Sequence, residues 1–154
     1  MVGVHEQGGT TAMKNHRIIR TQGQRIAWTN TSRIPDEQIV AAIKFVAREV
    51  DLDRVIIHYK RDNGGRANYG LAYPYIPTIA NLSGLKRSEW RWLITVTDQG
   101  SSSVHKRVVN TLAHEGKHIE QFRRGTFRRE RRARNCEAQA RAFGGWVANR
   151  WATS

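Results

Sequence analysis

Apolar residues recur along this chain at two distinct periods. Ile39, Ile43, Val46 and Val50 follow one another at steps of four, three and four, which marks one face of a helix. Pro35 suits a first helical turn, and Asp36 and Glu37 suit the positive end of the helix dipole, so the helix is predicted from Pro35 to about Val50. Val55, Ile57 and Tyr59 alternate with other residues, the period of a strand over 54–60. Asn63-Gly64-Gly65 reads as a turn, and 68–73 as a second strand that Pro74 and Pro77 disfavour as an interior one. Trp90, Trp92, Ile94 and Val96 alternate with Arg91, Leu93, Thr95 and Thr97, predicting a further strand.

The helical period then returns. Ser101, Ser102 and Ser103 offer an N-cap after Gly100, and Val104, Val108, Leu112, Ile119 and Phe122 form one apolar stripe. A last helix is predicted over 128–151, with Ala133, Ala140, Gly144 and Ala148 on the face that carries Glu137. Residues 1–33 are polar, rich in Gly, Thr, Gln and Asn, and hold Lys14, Arg17, Arg20, Arg25 and Arg33 with no acid after Glu6. They read as a flexible basic arm, leaving 34–154 as one folded domain. The element order predicts an α+β domain: an N-terminal helix, a small two- or three-stranded sheet and two C-terminal helices.

The first of those two helices carries His114-Glu115-Gly116-Lys117-His118. Residues four apart on a helix return to nearly the same azimuth, so His114 and His118 can hold one metal ion. Glu115 lies about a third of a turn away, where a general base for metal-activated water belongs. A third ligand must come from elsewhere. Glu137, after eighteen intervening residues, sits on the stripe of small residues, which lets two helix backbones approach closely. Glu130, within an arginine run, and Glu120, two residues past His118, are the alternatives.

HExxH, eighteen residues and then Glu resembles the signature of the gluzincin metallopeptidases, the thermolysin-like and zinc aminopeptidase clan. The resemblance covers 111–140, about a fifth of the chain, and Thr111, three residues before the first His, fits the wider zincin pattern. It implies one zinc ion per chain on His114, His118 and Glu137, Glu115 as the catalytic base, and a zincin-like minimal core in which the C-terminal helix carries the third ligand. This sequence departs from the pattern at Lys117 and Glu120, where uncharged and apolar residues are usual. Cys136 precedes the ligand Glu where many relatives have Asn, with Asn135 one position too early. Arg141 stands where an Asp usually orients a zinc-binding His. A metzincin would need Gly at 121 and His at 124; the chain has Gln121 and Arg124.

Composition narrows the partners. With 154 residues the chain has length for a single core. No apolar run approaches the ~20 residues that span a bilayer, and no apolar stretch near the N-terminus reads as a secretory signal, so the expected location is cytoplasmic. The lone Cys136 excludes an internal disulfide framework. The formal net charge is +13, and Arg123, Arg124, Arg128, Arg129, Arg131, Arg132 and Arg134 crowd one segment with a single acid, Glu130. Guanidinium forks suit phosphate or an acidic protein; equally, such a run serves as a solvated connection. The expected function is a small zinc peptidase acting on peptide or protein, with oxyanion donors among Tyr69, Tyr73, Tyr75, His58 and His105. The alternative is a basic nucleic-acid-binding protein in which any metal is structural or absent.

Overall fold

The computed structural model describes residues 16–64, 69–74, 85–86, 88–125 and 134–154. Its elements are β1 (Arg17–Thr21), β2 (Gln24–Asn30), α1 (Asp36–Ala47), β3 (Val55–Lys60), β4 (Gly70–Pro74), β5 (Trp92–Thr97), α2 (Lys106–Arg124) and α3 (Arg134–Ala152). The strands form one mixed sheet in the order β1-β2-β3-β5-β4. β2, β3 and β5 run parallel, with β1 and β4 antiparallel at the two edges. The fold is therefore α+β, with a five-stranded mixed sheet and three helices among the described residues. None of these helices is long and apolar enough to cross a membrane.

The expected flexible arm over 1–33 is corrected from residue 16 onward; residues 1–15 lie outside the described residues. Arg17–Thr21 and Gln24–Asn30 are paired strands, and Ile19, Ile26, Ala27 and Trp28 are buried. Two residues, Gln22 and Gly23, turn the hairpin with φ of 51° and 73°. That pair of positive φ values gives the twist a two-residue hairpin needs. The arginines that suggest an arm lie on strands: Arg17 stacks over Trp28 at 4.6 Å and donates to Asp36 at 2.7 Å. The sheet thus has five strands, not two or three.

The parallel step from β2 to β3 needs a crossover, and α1 supplies it on one face of the sheet. That face holds the main core: Ile26, Trp28, Ile57, Tyr59, Ile94 and Val96 meet Ile39, Ile43 and Val46 of α1 and Val108, Leu112 and Ile119 of α2. The other face carries a smaller cluster of Ala27, Ile56, Trp90 and Leu93, with Tyr73 and Leu85 packed on it. β4 takes the edge, as its terminal Pro74 requires, since proline cannot donate to a ladder.

Asp98, fully buried after β5, ties three segments together. It accepts from the Arg33 backbone and guanidinium, from Asp62 N and from Gly100 N at 2.9–3.0 Å. Burial pushes its carboxyl pKa up, but these three N–H groups and the Arg33 charge outweigh it and hold the pKa below the usual value.

Entry to α2 differs from expectation. The N-cap is His105, whose Nδ1 accepts from Arg107 N at 3.2 Å, rather than one of the three serines. Ser101 and Ser103 bond each other in the preceding turn. Gly125, at φ 76°, ends the helix in the left-handed conformation usual for a C-terminal glycine.

Candidate metal centre

α2 presents its apolar stripe to the core and carries His114 and His118 along the flank that meets α3. Gly116, inside the HExxH run, faces inward: a Cβ there would lie 3.1 Å from Val50 and 3.3 Å from Leu52. Lys117 faces outward, bonded to Glu120 at 2.9 Å and lying 5.1 Å from the centre of the Phe143 ring. The two charged residues that depart from the gluzincin pattern therefore pair with each other. Glu120 also pairs with Arg124, so the structure does not bring it to the histidines. Glu130 lies outside the described residues.

Glu137 reaches the histidines from the first turn of α3. The small-residue face allows this. Ala140 and Ala148 are fully buried, and a Cβ on Gly144 would collide with Asn110 of α2. Glu137 Oε1 lies 3.0 Å from His118 Nε2, and its Oε2 lies 3.2 Å from His114 Nε2. The imidazole rings meet edge to face at 4.9 Å. The three side chains offer ligand atoms within 4.8 Å of one another. Tetrahedral ligands at about 2.0–2.1 Å from an ion lie roughly 3.3 Å apart, and each carboxylate oxygen of Glu137 stands at about that distance from the Nε2 of a different histidine. Two imidazoles and a carboxylate are also a donor set that first-row divalent metals accept. The residues fit a metal ion.

Electrostatics favour the ligating form of His114. Burial lowers its pKa below the usual value, and the neighbouring His118 and Arg141 act in the same direction against the raising effect of Glu137. A neutral ring keeps the lone pair that a metal needs. Arg141, one turn after Glu137, stands 3.7 Å from Glu137 Oε2. It therefore contacts the candidate ligand carboxylate rather than a histidine.

Glu115 is buried and points toward the edge strand. A Cβ on Gly70 of β4 would sit 3.0 Å from Glu115 Cγ and 2.6 Å from Thr111 Cγ2. The absence of a side chain at Gly70 makes room for the candidate base. The other expected contributors separate. His58 points to the face away from the helices, where Thr31 Oγ1 lies 3.3 Å from its Nε2, and Tyr73 packs on the cluster of that same face. His105 caps α2. Tyr69 is half exposed beside Gly70, and Tyr75 lies outside the described residues.

Sequence reasoning missed Gln121. Its amide joins His118 Nδ1, at 2.8 Å, to the carbonyl of Cys136, at 2.9 Å. Its spacing, three residues after a ligand on the same helix, was the available signal. Compared with protein-family models, with curated proteins and with solved structures, the chain matches none.

Proposed function

We propose that the chain is a zinc-dependent peptidase built on a zincin-like core. The observation that carries this reading is the convergence of His114, His118 and Glu137 on one point, with Glu115 buried beside them against the first residue of an edge strand. Zinc held there would polarise a carbonyl and lower the pKa of a bound water to about 7. With zinc bound, Glu115 would serve as the base that takes a proton from the attacking water and returns it to the leaving amine. β4 has no partner on its outer side among the described residues, and such an edge accepts an extended peptide as an added strand. The proposed substrate is a peptide or protein, and the proposed setting is cytoplasmic.

The test is metal analysis of protein purified without added zinc, beside Glu115→Gln. We expect about one zinc per wild-type chain, sharply weaker binding in His114→Ala, His118→Ala and Glu137→Ala, and full zinc with no hydrolysis in Glu115→Gln. Unchanged turnover in Glu115→Gln ends the proposed mechanism. The second reading, a nucleic-acid-binding protein, is favoured by the net charge of +13. Arg123 and Arg124 do not serve it directly. Arg123 donates to the carbonyls of Asp51 and Asp53, and Arg124 pairs with Glu120.

A further inference from the structure

We propose that Gln121 is the positioning residue of the metal centre: it sets the tautomer of His118 and ties that ring to the helix turn that carries Glu137. Gln121 is 3% exposed, so its amide must find its partners inside the protein. Its Nε2 lies 2.9 Å from the Cys136 carbonyl and 3.3 Å from Gln139 Oε1. A backbone carbonyl only accepts, so the NH2 end of the amide must face Cys136. That turns Oε1 toward His118, 2.8 Å from Nδ1. An amide oxygen also only accepts, so the proton of this bond belongs to His118 Nδ1. Nε2 is then the nitrogen left to ligate, and it is the one that lies 3.0 Å from Glu137 Oε1.

One side chain therefore does two things. It selects the imidazole nitrogen that meets the metal, the task an acidic partner often performs for a ligating His. It also fastens α2 to the residue immediately before Glu137. The neutral amide suits this place because it donates and accepts at once, whereas a carboxylate could accept from His118 but not donate to Cys136.

The inference rests on the metal-site part of the proposed function and not on peptide hydrolysis. Nitrogen-15 NMR of histidine-labelled protein, with and without zinc, reads the tautomer directly. We expect a proton on His118 Nδ1 in both states, slow to exchange with solvent, and Nε2, which faces the acceptor-only Glu137 carboxylate, without a proton once zinc is bound. Gln121→Leu should lose that protection and weaken zinc binding about tenfold to a hundredfold, measured by chelator competition. Gln121→Glu, which keeps an acceptor for Nδ1–H, should restore the Nδ1 signal. A purely structural glutamine would lower the melting temperature and leave the tautomer unchanged. Nδ1 unprotonated in the wild type, or full zinc affinity in folded Gln121→Leu, overturns the proposal. If Gln121→Leu does not fold, the wild-type spectrum and Gln121→Glu decide. A wild type that binds no zinc but keeps Nδ1–H would fail the metal reading alone.

Discussion

Gly144 of α3 lies directly against Asn110 of α2: a Cβ there would collide with the Asn110 side chain and sit 2.8 Å from its backbone carbonyl oxygen. Helix backbone meets helix backbone at this point, and Glu137, two turns earlier on α3, reaches the histidines because of it. Gly144→Ala must push the helices apart. Overpacking of this kind costs about 1–3 kcal/mol, partly offset by the better helix propensity of alanine. We expect a lower melting temperature together with weaker zinc binding, because the Glu137 carboxylate retreats. Chelator competition on the folded variant checks it; unchanged affinity would show that Glu137 does not depend on this approach.

Gly70 has a comparable role toward Glu115. A methyl group on residue 70 would meet Thr111 and Glu115 on α2 at 2.6 and 3.0 Å. Gly70→Ala should displace Glu115, the proposed base, or the start of β4 while leaving His114, His118 and Glu137 in place. We expect normal zinc content and hydrolysis reduced on the order of a hundredfold, the cost of misplacing a reacting group by about 1 Å. Loss of zinc in this variant would mean that the damage extends beyond the base.

Acid sensitivity should come in part from His16. This side chain is buried just before β1, and its Nδ1 has no hydrogen-bond partner among the described residues. Burial, with help from the nearby His58, pushes its pKa down from 6.5 to about 4. The folded state therefore favours the neutral ring. Its contribution is fully present above pH 6.5 and is lost as pH falls toward 4, up to roughly 3 kcal/mol. Melting temperatures recorded with a chelator present, so that metal release adds nothing, should fall through that window. His16→Phe should flatten this acid limb. An unaltered limb would place the sensitivity elsewhere.

The elements that packing dictates were legible from period alone. The stripe of α2, the alternation of β3 and β5, and the approach of α3 through Ala140, Gly144 and Ala148 all follow from which residues need burial. The β1–β2 hairpin was not legible in the same way. Arg17, Arg20 and Arg25 suggested solvent, yet Arg20 and Arg25 alternate with Ile19 and Ile26 on their strands, and Arg17 covers Trp28 across the hairpin. The Gln22-Gly23 turn signal is weaker than Asn-Gly. His105 as N-cap was hidden by the three serines before it. HExxH indicated the two histidines, and the small-residue stripe indicated Glu137. The bond from Gln121 to Cys136 depends on how α3 lands on α2, which no local pattern states. Asp98 and Arg33, sixty-five residues apart in sequence, meet for the same tertiary reason.

The arginine run gives the last prediction. Arg123 is held by the carbonyls of Asp51 and Asp53, and Arg124 by Glu120, so neither is free for phosphate without giving up a bond in the protein. Within the run, a nucleic-acid contact is left to Arg128, Arg129, Arg131, Arg132 and Arg134, the first four of which lie outside the described residues. Each neutralised phosphate releases counterions, and the logarithmic salt slope steepens by roughly one per contact. Replacing those four with Gln should flatten the slope by about three to four while leaving zinc content intact, because none of them is a candidate ligand. Titration of labelled DNA and RNA at two salt concentrations measures it. No binding by the wild type at either concentration would eliminate a nucleic-acid partner and leave the run to an acidic protein or to solvent.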